Sequence, residues 1–290
     1  MKIKRKINLL PNVITSFGLC CGLFVIFKMT TTPPEAINRE LLTLATVIVL
    51  LGAFADLLDG AIARVIKAES EFGSFFDSMA DGITFGVAPA VIVLKSLAIS
   101  PTSDLFYLVT TSAMVYAACG ILRLVRFNVS SLRTVEAEAL LEAKKTFTGL
   151  PIPAACAALI SSNLFLVSDE LKRVWELSPE ARAWILFVQM LILGFFMVSR
   201  WKFLSLKTLR IRIRSFREVL LTVIFTVFIV FYGLMQHFSV VFVAVAWSYV
   251  VIAWIFAIVR MILGKKAAAL QDFEPEPELE DEGESEGEDL

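Results

Sequence analysis

Residues 56–81 read DLLDGAIARVIKAESEFGSFFDSMAD and place four aspartates between two strongly apolar runs. Hydrophobic residues make up 57% of the chain, and its mean hydropathy is +0.75. That apolar share exceeds the usual share in soluble domains, and a helix of about 20 apolar residues is long enough to cross a membrane. The sequence therefore predicts an all-α polytopic membrane protein.

Hydropathy predicts eight transmembrane helices. They cover residues 13–28, 41–64, 74–97, 104–124, 150–167, 183–199, 218–236 and 240–263. Lysine and arginine gather before the first helix, after the fourth, between the sixth and the seventh, and after the eighth. By the positive-inside rule these loops and both termini face the cytoplasm. We therefore expect a protein integral to the cytoplasmic (inner) membrane.

The two termini differ in composition from the predicted transmembrane domain, residues 13–265. Residues 1–12 mix basic and apolar side chains, which is typical either of a segment lying along lipid headgroups or of an ordinary basic flank. The acidic tail, residues 266–290, is predicted to be disordered because it is highly charged and poor in apolar residues. Without its eleven acids, 27 basic residues stand against 17 acidic ones. That balance suits membrane lipids and phosphate-bearing substrates as partners, and nucleic acid is not an expected partner.

The four aspartates are predicted to share two helix faces that meet. At about 100° per residue, the polar and small residues of 56–64 fall within an arc of about 140°, and those of 73–81 within about 80°. Four converging carboxylates would repel each other unless cations bind. Hard divalent metals with oxygen ligands suit such a site, whereas a single histidine does not suit zinc. The alternative, in which the acids only pair with Arg64 or Lys67, leaves more acids than local cations.

These residues resemble the complete signature of the CDP-alcohol phosphatidyltransferase family. Eight positions carry the resemblance, and they are Asp56, Asp59, Gly60, Ala63, Arg64, Gly73, Asp77 and Asp81. The resemblance implies a core of six transmembrane helices. Of the about eight predicted helices, six would therefore form the catalytic core. It also implies a homodimer, a cavity that faces the cytoplasm, and two divalent cations, Mg²⁺ or Mn²⁺, held by the aspartates.

The resemblance also implies individual roles. Asp56, Asp59 and Asp77 would be metal ligands, and Asp81 would share the metal and accept the proton of the attacking hydroxyl. The CDP-lipid would lie against the remaining four signature positions, with its phosphates near the arginine; these positions are Gly60, Ala63, Arg64 and Gly73. The small residues among them have a second interpretation, because small residues also allow tight helix packing in membranes.

Flanking stretches resemble the phosphatidylserine synthases of that family. They are FGVAPA at 85–90, GILRLVRFNV at 120–129, FTGLPIPA at 147–154 and MVSR at 197–200. The resemblance implies CDP-diacylglycerol and L-serine as substrates and phosphatidylserine and CMP as products. Arg123, Arg126 and Asn128 are candidate serine contacts, although the arginines could instead anchor the helix or contact lipid phosphate. Phe17-Gly18 is a departure, since relatives often carry asparagine at this part of the first helix.

Two other functions remain open at this point. The same chemistry could act on another alcohol, with glycerol phosphate or choline as the acceptor, or on an archaeal-type lipid donor, giving archaetidylserine. A transporter would also place acids inside a helix bundle, although the paired signature argues against it. A phospholipase-D-like synthase is excluded, because it needs duplicated His-x-Lys motifs and the only histidine, His237, is followed by Phe238 and Ser239.

Overall fold

The computed structural model describes residues 10–66, 71–97, 99–100, 102–137, 149–199 and 237–271. Within these ranges the regular structure is helical, and no strand is present. The α-helices are α1 (Leu10–Thr31), α2 (Arg39–Ile66), α3 (Glu71–Asp81), α4 (Ala88–Ser96), α5 (Asp104–Ala137), α6 (Ile152–Val167), α7 (Asp169–Lys172), α8 (Pro179–Val198) and α9 (Phe238–Gln271). A 3₁₀ turn, Pro34–Ala36, precedes α2, and a π-helical segment, Gly82–Val87, joins α3 to α4.

Among the described residues, six helical stretches are long and apolar enough to cross a membrane, and they correspond to the predicted first, second, third, fourth, sixth and eighth transmembrane helices. Helix α6 corresponds to the predicted fifth helix but is shorter, at 16 residues. The predicted seventh helix, 218–236, lies outside the described residues. An all-α polytopic membrane protein is thus confirmed, while the count of eight helices stays a prediction.

The distribution of large apolar side chains agrees with a lipid environment. Phe24, Phe54 and Trp184 are exposed on the outside of their helices, as lipid-facing residues are. Inside the bundle, Tyr116 of α5 is fully buried and its hydroxyl donates to the Phe85 carbonyl at 3.1 Å. The polar end of this tyrosine is therefore satisfied within the protein core, as buried polar groups must be where water is excluded.

The third predicted transmembrane helix is not a uniform α-helix. Six residues directly after Asp81 form the π-helical segment Gly82–Val87, and four of these residues are buried. π-Helical turns inside α-helices are rare and frequently occur at functional sites. The segment packs tightly against α1, because a Cβ atom built on Gly22 would lie 2.5 Å from the Thr84 hydroxyl oxygen.

The connection into α6 is set by backbone geometry. Gly149 has a φ of +84°, a conformation that glycine adopts without steric cost, and a side chain there would run into the Met197 carbonyl. The next residue, Leu150, donates its backbone N–H to the Phe196 carbonyl at 3.0 Å. The start of α6 is thereby joined to the end of α8.

The helices define two ends of the bundle. At the carboxylate end, named for Asp56, Asp59, Asp77 and Asp81, α2 ends, α3 and α6 begin and α8 ends. At the opposite end α2 begins, and Arg39 there forms ion pairs with Asp169 and Glu170 of α7. Helix α9 also begins at the opposite end, where Ser239 donates to Glu170 at 3.3 Å.

The predicted boundaries of the terminal segments differ slightly from the helix ends. Helix α1 begins at Leu10, inside the predicted interfacial segment 1–12, and α9 continues to Gln271, past the predicted start of the tail at 266. Residues 1–9 and 272–290 lie outside the described residues. The interfacial segment and the disordered tail therefore stay predictions.

Candidate metal centre

Helices α2 and α3 bring three of the four aspartates together. One carboxylate oxygen from each of Asp56, Asp59 and Asp77 lies within 4.8 Å of the others. The cause is local, because residues three apart on α2 share a face and only a short connection separates α2 from α3. The two helix faces expected from the sequence thus meet at this end of the bundle.

The aspartates line a small cavity that is partly open to its surroundings. Asp81 lines the same cavity, although it does not belong to the close group of three. The other walls come from α1, α2 and the π-helical segment, and include Thr15, Gly18, Gly52, Thr84 and Phe85. Gly18 also borders the cavity, and its carbonyl accepts a hydrogen bond from the Thr84 hydroxyl at 3.3 Å.

The donor set suits a hard divalent cation. Asp59 is buried, and the Oδ1 atom of Asp77 is buried with no hydrogen-bond partner among the described residues. Burying a carboxylate without a partner is costly, and three carboxylates at this separation repel each other. A cation with oxygen preference, such as Mg²⁺ or Mn²⁺, would remove both penalties.

A contact from α1 to this centre was not predicted. The Thr15 hydroxyl oxygen lies 2.5 Å from Oδ2 of Asp59, and both side chains are buried. The sequence held little signal for this contact, because a threonine in a helix commonly donates to the carbonyl four residues earlier. Thr46 of α2 does so, with its hydroxyl 2.8 Å from the Leu42 carbonyl.

The three candidate serine contacts on α5 have different surroundings. The guanidinium of Arg123 interacts electrostatically with Asp81, and its buried Nε has no hydrogen-bond partner among the described residues. Arg126 instead donates from Nη1 to the Val198 carbonyl at 3.1 Å, at the end of α8. Asn128 pairs with Ser78 of α3, since its Nδ2 donates to the Ser78 hydroxyl at 2.9 Å. Arg123 is thus within electrostatic range of one of the cavity carboxylates.

Of the four residues expected to contact the CDP-lipid, the structure describes two completely and the other two only in their backbone. A Cβ atom built on Gly60 would meet no described atom within 4 Å, so this glycine is not needed there for helix packing against the described residues. Gly73 is half-buried on the first turn of α3. Ala63 and Arg64 continue α2 beyond Gly60, but their side chains lie outside the described part of the structure. Open space over Gly60 favours ligand approach over the packing interpretation.

The part of the chain that contains this site resembles known proteins. A family model for the CDP-alcohol phosphatidyltransferases matches residues 8–196, which include α1 to α6, most of α8 and all eight signature positions. A Helicobacter pylori protein named CDP-diacylglycerol–serine O-phosphatidyltransferase is 28% identical over 269 residues, which cover 90% of this chain and 97% of that protein.

Two further relatives bear the same name. The Bacillus subtilis protein is 32% identical over 153 residues, which cover 53% of this chain and 74% of that protein. The Mycobacterium leprae protein is 32% identical over 167 residues, and the match spans about half of each chain, 54% of this one and 48% of the relative. The resemblance seen in the sequence is therefore confirmed, and the chain belongs to the CDP-alcohol phosphatidyltransferase family.

Proposed function

We propose that this protein transfers the phosphatidyl group of CDP-diacylglycerol to the hydroxyl of L-serine, giving phosphatidylserine and CMP. The observation that carries the proposal is the single cavity lined by Asp56, Asp59, Asp77 and Asp81 in a chain of this family. The choice of serine rests on the relatives, because the Helicobacter protein that bears the serine transferase name matches over nearly its whole length.

The aspartates would hold two divalent cations, Mg²⁺ or Mn²⁺. Asp56, Asp59 and Asp77 supply the close group of oxygens, and Asp81 adds a fourth carboxylate to the same cavity. Bound metal would neutralise the pyrophosphate of the donor and stabilise the leaving group. The unpartnered Oδ1 of Asp77 supports this assignment, since a ligand is the simplest remaining partner for it.

Asp81 is the proposed general base. Its carboxylate borders the cavity at the end of α3, directly before the π-helical segment. A positioned carboxylate can accept the proton of an attacking hydroxyl as the new bond to phosphorus forms. The other three aspartates are less suited to this task, because their oxygens form the close group that would bind metal.

Arg123 is the proposed partner of the serine carboxylate. Its guanidinium interacts electrostatically with Asp81, so a serine carboxylate bound to Arg123 would lie at the same end of the bundle as the proposed base. Guanidinium groups bind carboxylates through two parallel hydrogen bonds, and the buried Nε of Arg123 has no described partner. Arg126 has a structural contact at the end of α8, and Asn128 pairs with Ser78, so we assign neither to serine.

The donor lipid would enter from the membrane on the Gly60 side of the cavity. A Cβ atom built on Gly60 would have no described atom within 4 Å, and Ala63, Arg64 and Gly73 are the other signature positions proposed to contact the donor. Arg64 would contact the phosphates, because a guanidinium matches phosphate geometry and stays charged. We further propose that the carboxylate end faces the cytoplasm at the inner membrane, where the basic loops lie, and that two chains form a homodimer.

Product analysis tests the proposal. The purified full-length protein is incubated with CDP-diacylglycerol, Mg²⁺ or Mn²⁺, and one alcohol at a time from serine, glycerol 3-phosphate, choline and inositol. We expect CMP release and a phosphatidylserine product only with serine, and neither product after metal chelation. A different lipid product would show that the acceptor is an alcohol other than serine. Absence of CMP release with every alcohol would instead favour a transporter.

A further inference from the structure

We infer that Thr15 is a positioning residue of the metal centre, holding the Asp59 carboxylate in the orientation in which it binds metal. Three observations support this role. The Thr15 hydroxyl oxygen lies 2.5 Å from Oδ2 of Asp59, both side chains are buried, and both line the cavity that contains the other aspartates. The inference rests on the proposed function in one respect, namely that Asp59 is a metal ligand.

The hydroxyl of Thr15 has two acceptors within reach but only one proton. The Pro11 carbonyl, four residues earlier, lies 3.0 Å away, and Asp59 Oδ2 is closer. A charged carboxylate is the stronger acceptor, and such hydrogen bonds are shorter than those between neutral groups. The proton therefore goes to Asp59. Ser16 shows the ordinary alternative on the same helix, since its hydroxyl donates to the Asn12 carbonyl at 2.7 Å.

This hydrogen bond restricts rotation of the Asp59 carboxylate. Oδ2 accepts from Thr15, so the carboxylate would keep one orientation towards a cation bound in the cavity. Groups that hydrogen-bond to metal ligands orient them, and losing one typically weakens metal binding about 10–100-fold. Because Thr15 is on α1 and Asp59 on α2, the contact also makes α1, which carries none of the eight signature positions, part of the metal centre.

Metal binding in the absence of substrate tests this role directly. The full-length protein in lipid nanodiscs is titrated with Mn²⁺, and free Mn²⁺ is followed by electron paramagnetic resonance. Thr15→Val removes the hydroxyl and keeps the side-chain shape, whereas Thr15→Ser keeps the hydroxyl. Thr46→Val is the matched control, because Thr46 is also a buried threonine but donates only to its own helix.

We expect Thr15→Val to weaken Mn²⁺ binding about tenfold or more, with Thr15→Ser and Thr46→Val close to wild type. Thermal melting checks that each variant is folded, and Thr15→Ala replaces Thr15→Val if the latter does not fold. Wild-type Mn²⁺ affinity in a folded variant without the Thr15 hydroxyl would overturn the inference. Failure of the wild-type protein to bind Mn²⁺ would instead overturn the proposed metal centre, so the two failures are distinguishable.

Discussion

The two ends of the helix bundle differ in the neighbours of their acidic side chains. At the opposite end, Arg39 pairs with Asp169 and Glu170, and His237 lies 3.5 Å from Glu170. At the carboxylate end, three aspartates approach each other, and Asp77 has a buried oxygen without a described partner. Acids that have cations beside them connect helices, whereas acids that face each other across a cavity require a ligand.

A second polar group at the opposite end shows how a half-buried charge can be held without an acid. The Arg182 guanidinium donates from Nη2 to the Ser96 hydroxyl at 2.8 Å and to Asn163 Oδ1 at 3.0 Å. Ser96 also donates to Asn163 at 2.7 Å. These contacts join α4, α6 and α8. We therefore propose that this network stabilises the fold, whereas the carboxylate end carries out the reaction.

The largest effect is expected for Asp77→Asn. The substitution removes one charge from the close group of carboxylates, so metal binding and turnover should fall together. Phosphatidyl transfer should drop more than about a hundredfold, the scale of an essential catalytic group. Steady-state assays and Mn²⁺ titration measure the two effects.

Asp169→Asn is the matched control, because it removes one acid from the Arg39 pair at the opposite end. Its turnover and Mn²⁺ affinity should stay close to wild type. Near-normal activity of a folded Asp77→Asn variant would refute the metal assignment, and loss of activity in Asp169→Asn would refute the division between the two ends.

The next largest effect is expected for Arg123→Lys. A lysine keeps the charge but not the two-pronged hydrogen bonding of arginine, so the KM for serine should rise about tenfold, which corresponds to about 1.4 kcal/mol. The KM for CDP-diacylglycerol should change much less. Kinetics with each substrate varied in turn separate the two constants.

Arg126→Lys provides the comparison on the same helix. This arginine donates to the Val198 carbonyl, so its replacement should lower thermal stability slightly and leave the KM for serine unchanged. If only Arg126→Lys raises that KM, serine binds elsewhere than proposed.

A smaller effect, on stability alone, is expected for Asn163→Leu. This change keeps the branched shape of the side chain but removes the acceptor shared by Ser96 and Arg182. Losing the hydrogen bond from the half-buried Arg182 guanidinium should cost about 1–3 kcal/mol of unfolding free energy, measured by denaturation in detergent. Ser161→Ala is the control, since Ser161 is buried on the same helix and donates only to the Ala158 carbonyl. A large change in Mn²⁺ affinity for Asn163→Leu would contradict a purely structural role.

The smallest effect concerns acid sensitivity at the opposite end. A backbone hydrogen bond lowers the pKa of Glu170 from its ordinary value of 4.5, and His237 and Arg39 lower it further. A lowered pKa in the folded state means that this stabilisation is present above pH 4.5 and is lost as the pH falls through the folded-state value.

Thermal melting at a series of acidic pH values tests this linkage. The melting temperature of Glu170→Gln should fall less steeply with acidification than that of the wild-type protein. Glu176→Gln, in the exposed turn after α7, should retain the wild-type slope. Identical slopes for the wild-type protein and Glu170→Gln would show that the ion pairs with Arg39 and His237 add no stability.

The acids of the metal centre were predictable because their cause is local. Asp56 and Asp59 are one helical turn apart and share a face whatever surrounds them, and the short connection to Asp77 leaves few arrangements. Thr15 was not predictable, because 44 residues separate it from Asp59 and its usual acceptor lies within its own helix. The sequence also could not separate Arg123 from Arg126, since the distinction depends on the position of the end of α8.

Hydropathy and helical periodicity are properties of short stretches of chain. They predict the membrane class, the number of helices within the described residues and the position of the acids. The π-helical segment after Asp81, the hydrogen bond from α1 to Asp59 and the different partners of the two arginines arise only when distant helices pack together. In a bilayer the hydrophobic effect holds each helix in the membrane but does not choose its neighbour. Close backbone approach at glycines such as Gly22, together with hydrogen bonds between helices, makes that choice.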